Sequence, residues 1–88
     1  MTGRNKELEG KVAIVTGSAR NIGRAIAEEL ARAGAAVTIN AKSAGELCEE
    51  VAQGIRKAGG KAIACRADIT EPAEVQKLVD ATVEAFGG

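Results

Sequence analysis

The chain has 88 residues, a formal net charge of zero, no histidine and one aromatic side chain, Phe86. That length suits one small domain with a modest core. Neutrality gives no electrostatic case for nucleic acid or a membrane surface, and the near absence of aromatics removes the platforms on which single strands stack. An apolar content of 45% argues against disorder, and two cysteines without histidine are too few ligands for a zinc site.

Residues 1–9 are polar, lack the apolar core of a signal peptide and are predicted to be flexible, with Leu8 able to tuck against a sheet. The β-branched run Val12 to Thr16 reads as a first strand. A turn from Thr16 to Gly23 follows, reading TGSARNIG. A helix then places Ile22, Ile26, Leu30 and Ala33 at spacings of three and four, and Gly34 suits its left-handed C-terminal position. Ala36 to Asn40 is a second strand. Ser43 is a candidate N-cap for a second helix over about 44–58, whose apolar face holds Leu47, Val51, Ile55 and Ala58 with Cys48 and Ala52. Lys61 to Ala67 is a third strand. Thr70 is a candidate N-cap, with Pro72 in the first turn of a third helix reaching Phe86, and Val75, Leu78, Val79, Thr82, Val83 and Phe86 form its stripe. Gly87-Gly88 would close it.

Strict strand–helix alternation implies a parallel sheet with right-handed crossovers. Both cysteines fall at apolar positions, as small hydrophobes do. No run is long enough to cross a bilayer, and a reducing, cytoplasmic setting is the default reading. The stretch from Lys11 to Gly34 organises the rest. A buried strand, a glycine-bearing turn and an amphipathic helix lay out a dinucleotide site, because the helix N-terminus offers unpaired N–H groups and a partial positive charge to a pyrophosphate.

The run Leu8-Glu9-Gly10-Lys11-Val12-Ala13-Ile14-Val15-Thr16-Gly17, followed by Ser18-Ala19-Arg20-Asn21-Ile22-Gly23, resembles the opening of the short-chain dehydrogenases/reductases, whose fingerprint after the first strand is TGxxxGxG. The resemblance covers essentially all 88 residues and lies nearest to reductases typified by 3-oxoacyl-acyl-carrier-protein reductase and glucose 1-dehydrogenase. It implies an α/β partial Rossmann fold of three layers, β-α-β-α-β-α, with strand order 3-2-1. It also implies one unit over residues 1–88, the N-terminal half of a coenzyme-binding domain. By the same resemblance Gly17 makes the tight turn, Gly23 allows close helix packing, and Ile22 presents its backbone N–H near the pyrophosphate. Ser18 and Ala19 complete the turn. Asn21 stands where the family usually has a glycine, and asparagine is the side chain that best tolerates the left-handed conformation.

A site selective for NAD places Asp or Glu at the end of the second strand, on the ribose 2′-hydroxyl. Here that place reads Asn40-Ala41-Lys42-Ser43, without a carboxylate. Arg20 and Lys42 could pair with a 2′-phosphate while Ser43 donates a hydrogen bond, so NADP(H) is expected over NAD(H). The alternative for Arg20 and Lys42 is an ordinary solvated surface charge. Asp68 sits where the family's adenine-binding aspartate does, with Ile69 as an apolar wall beside it. The alternative is that Asp68 caps or brackets the next helix, and the two roles are compatible.

The family's catalytic serine and Tyr-x-x-x-Lys pair lie beyond a fourth strand, and this sequence has no tyrosine. No catalytic residue and no metal ligand is assigned. The expectation is an NADP(H)-binding portion of a reductase for ketones or secondary alcohols, inactive by itself. A module that binds nucleotide or self-associates without catalysis is the alternative. In both cases the first strand, an edge here, is expected to pair with another copy or with the remainder of an enzyme.

Overall fold

The computed structural model describes residues 7–43 and 45–87. The elements are β1 (Val12–Val15), α1 (Asn21–Arg32), β2 (Ala36–Ala41), α2 (Gly45–Lys57), β3 (Lys61–Arg66) and α3 (Pro72–Phe86). The sheet is parallel, in the order β1-β2-β3. The register runs from Val12↔Ala36 to Val15↔Ile39 and from Ala36↔Lys61 to Ala41↔Arg66. This is the parallel sheet expected from the alternation, in the 3-2-1 order that the family resemblance implies.

Side-chain alternation along β2 builds the layers. Val37 and Ile39 point to one face, into a cluster with Ala27 and Ala31 of α1 and Cys48, Val51, Ala52 and Ile55 of α2. Thr38 points to the other face, where its hydroxyl lies 2.8 Å from that of Thr82 on α3. Two helices therefore cover one side and α3 the other. Covered on both sides, β2 is buried from Ala36 to Asn40, as a central parallel strand must be. Both cysteines are free thiols, and burial first of all raises the pKa of Cys48.

The apolar stripe of α1 needs correction. Ile22 and Ile26 are 75% and 47% exposed, whereas Ala27 and Ala31 are buried. Only small side chains let the helix come down onto the strands, so alanines form the seam and the isoleucines are rotated off it. On α3, Leu78 and Thr82 are buried but Val75, Val79 and Val83 are exposed, because that helix lies chiefly on β3 and the rest of its stripe has no sheet beneath it.

The ends are specific. Gly34 has φ +109°, and a Cβ there would lie 2.9 Å from the backbone nitrogen of Glu9. The Leu8 N–H donates to the Ala33 carbonyl at 2.9 Å, and Leu8 packs on the core. Of residues 1–9, for which flexibility is expected, Glu7–Glu9 sit in a turn tied to the end of α1, and residues 1–6 lie outside the described residues. Ala44, which precedes Gly45, also lies outside them, and the N-cap role expected of Ser43 is not described. Gly87, at φ +79°, closes α3, and Gly88 lies outside the description. Thr70 is not the α3 N-cap. Glu71 holds that position without a side-chain bond, and Pro72 follows it.

Candidate dinucleotide site

The turn between β1 and α1 is fixed by two close constraints. Gly17 has φ +61°, a region that side chains rarely enter. A Cβ on Gly23 would collide with the Gly17 carbonyl oxygen and lie 3.1 Å from the Ser18 Cα, so helix and turn are in backbone contact. Asn21, with φ +56°, is the one non-glycine residue with positive φ among the described residues. It takes the left-handed conformation expected of it at the family's glycine position. Arg20 is the α1 N-cap and offers no side-chain bond, which leaves the first-turn N–H groups without a protein cap.

Across the turn lies the end of β2. Gly17, Ala19, Arg20, Asn21, Ala41, Lys42 and Ser43 together line an open cleft of about 310 Å³. The structure thus brings the glycine turn and the post-β2 loop to one place, with two cationic side chains and no carboxylate in the lining. Arg20, Lys42 and Ser43 are exposed, as ligand-facing groups must be. Ile22 and Gly23 lie beside the cleft at the start of α1 rather than in its wall.

Asp68 and Ile69 follow β3, outside the cleft lining. The Asp68 Oδ1 accepts both the Thr70 N–H (3.0 Å) and the Thr70 hydroxyl (2.7 Å). It therefore brackets the approach to α3, the alternative that its sequence position left open. Those two bonds, and to a smaller extent the Lys42 charge, hold the Asp68 carboxyl below its usual pKa. Lys42 Nζ lies 3.8 Å from Asp68 Oδ2 with its own side chain 75% exposed, a loose pair that leaves the ammonium able to turn elsewhere. Ile69 is half exposed beside it.

Ser18 and Asn40, the remaining two candidates, are buried and absent from the cleft wall. Their polar groups are engaged internally, which residue type and spacing did not signal. The residues of the cleft suit a dinucleotide: a turn with no room for a Cβ at Gly23, uncapped amides at a helix start, and a cationic rim.

Comparison with known proteins bears on the family and the fold. A family model described as short chain dehydrogenase matches residues 11–88. An uncharacterised oxidoreductase of Methylorubrum extorquens is 48% identical over 81 residues, which are 92% of this chain and 33% of that protein. A hydroxynaphthalene reductase-like protein of Metarhizium guizhouense is 46% identical over 82 residues, 93% of this chain and 31% of its own. The crystal structure of a hydroxysteroid dehydrogenase from Escherichia coli superposes with a TM-score of 0.88 at 38% identity, over 94% of this chain and 35% of that one. The chain spans about a third of the length of the curated relatives it matches. With a matched segment that takes in the glycine turn, all three strands and all three helices, the chain belongs to the short-chain dehydrogenase family, whose members bind nicotinamide dinucleotides.

Proposed function

We propose that these 88 residues form the NADP(H)-binding N-terminal portion of an oxidoreductase that acts on a ketone or secondary alcohol, nearest to the classical reductases of its family. The observation that carries this reading is the cleft between turn and post-β2 loop, with Arg20, Lys42 and Ser43 around it and no carboxylate. A ribose 2′-phosphate carries negative charge and several acceptor oxygens. Guanidinium and ammonium groups match it, and a carboxylate at the end of β2 would repel it. Gly17, Ala19, Asn21 and the first amides of α1 would hold the pyrophosphate.

When bound, the dinucleotide supplies or accepts the hydride. The chain's own residues bind and orient it. They include no tyrosine, the acid/base that the family resemblance implies, and none of them is assigned as the proton donor. The edge of β1 completes the reading as a pairing surface. β1 has a partner strand on one side among the described residues, and Ile14 is 36% exposed on the α3 face. Sedimentation of the 88-residue chain tests this: mass rising with concentration is expected, and a monomer throughout the micromolar range would remove it.

The coenzyme test is a titration with NADPH and with NADH, following coenzyme fluorescence, since the chain has no Trp or Tyr. NADPH is expected to bind the more tightly. Losing Arg20 and Lys42 together to alanine removes two charge-assisted contacts, about 10- to 100-fold or more in NADPH affinity, and leaves NADH within about threefold. Equal losses for the two coenzymes, or a preference for NADH in the unaltered chain, would overturn the assignment.

A further inference from the structure

We propose that Ser18 and Asn40 are positioning residues for coenzyme selection. They form a buried latch that fixes the phosphate-facing loop and Asp68 relative to the glycine turn, and this role rests on the NADP(H) reading above. The β1–β2 ladder ends at Val15↔Ile39, before the cleft begins. Beyond it the latch takes over. The Ser18 N–H donates to the Asn40 carbonyl at 2.8 Å. The Ser18 hydroxyl accepts the Asn40 N–H at 2.9 Å and donates to the Val15 carbonyl at 2.5 Å. The Asn40 side-chain amide then donates to the carbonyls of Cys65 (3.1 Å) and Ala67 (3.3 Å).

These bonds join the ends of all three strands. Ser18 is 0% exposed and Asn40 2%, so water cannot replace a missing partner. The chain neighbours of the latch are the cleft. Gly17 and Ala19 flank Ser18, and Ala41, Lys42 and Ser43 follow Asn40. Asp68 follows Ala67 directly. A side chain that touches no ligand thus sets where the ligand-facing groups stand. A shift in the exit of β2 would move Lys42 and Ser43, which face the 2′-phosphate, more than the first turn of α1, which faces the pyrophosphate common to both coenzymes.

Ser18→Ala removes one oxygen and keeps the backbone bond. The loss takes both hydroxyl bonds, to the Asn40 N–H and to the Val15 carbonyl, and NADPH affinity is expected to fall about tenfold, with NADH affinity falling no more than about twofold. In the coenzyme-free chain the amide resonances of Lys42, Ser43 and Asp68 should shift, and the Asn40 amide should exchange with solvent at least about tenfold faster. Equal losses for both coenzymes would overturn the latch, as a purely structural role lowers both together. If the unaltered chain binds neither coenzyme, the NADP(H) reading fails separately, and the free-chain spectra still decide whether the latch holds the loop: unmoved Lys42 and Asp68 resonances refute it. Should Ser18→Ala not fold, Asn40→Ala frees only the β3 end. A shifted Asp68 resonance and a lowered NADPH-to-NADH affinity ratio would then support the latch, and an unmoved resonance or an unchanged ratio would overturn it.

Discussion

The same substitution, glycine to alanine, should act with opposite sign in two helices. Gly23 lies in the first turn of α1 and Gly54 in the interior of α2. Alanine is favoured over glycine in a helix by about 0.8–1.0 kcal/mol. At Gly54 the added methyl meets nothing within 4 Å, so that gain is free. At Gly23 it meets the Gly17 carbonyl oxygen, with the Gly17 carbonyl carbon at 3.0 Å. Those are backbone atoms of a tight turn and cannot rotate away. Overpacking of this kind costs about 1–3 kcal/mol and occasionally more. The upper part of that range less the helical gain leaves a net loss of about 2 kcal/mol. In a domain of this size 1 kcal/mol moves the melting temperature by about 4–8 °C. Gly23→Ala should therefore melt roughly 8–16 °C below the unaltered chain, and Gly54→Ala up to about 4–8 °C above it. Circular dichroism at 222 nm reads both. A Gly23→Ala chain as stable as the unaltered one would refute the backbone contact between helix and turn.

Two further tests address the α3 side. The Thr82 hydroxyl donates to the Leu78 carbonyl at 2.9 Å and so accepts from Thr38. Thr82→Val leaves the buried Thr38 hydroxyl alone and should cost about 1–3 kcal/mol, whereas Thr38→Val should cost about 0.5–1.5 and the double variant less than the sum, as urea unfolding would show. Asp68 titrates below its unfolded pKa in the folded chain, so its bonds to Thr70 add stability above roughly pH 4 that is lost as pH falls through the folded value. Asp68→Asn should accordingly be the less stable chain at pH 6 and approach the unaltered chain at pH 3. A constant gap in melting temperature between the two across that range would contradict it.

Much of the site could be read from the sequence because it depends on backbone rules. Positive φ at Gly17 and Gly34, the asparagine at a left-handed position, and the alternation of β-branched runs with helical stripes are constraints on single residues or short windows. Hydrophobic periodicity did worse on α1. It weighs Ile22 and Ile26 above Ala27 and Ala31, yet close packing of the helix on the core selects for smallness and not for hydrophobicity. Polar burial was out of reach for a different reason. Ser18 and Asn40 are 22 positions apart, and their pairing depends on where two strands end side by side, which residue type does not encode. Thr70 fits an N-cap by type, but Asp68, two residues earlier, captured its hydroxyl first.

The alanine seam under α1 has a mechanical consequence. With backbone contact to the glycine turn at Gly23 and single buried methyl groups at Ala27 and Ala31, the helix is held like a beam on three thin shims. The two outer supports are eight residues, or about 12 Å, apart. Thickening the far shim at Ala31 by about 1 Å pivots the beam on Gly23 by roughly 5°. The amide dipoles at the near end would keep their strength and lose their aim. The plainest side chain in the protein thus works as an alignment part, and its tolerance is set at the end of the helix furthest from the cleft.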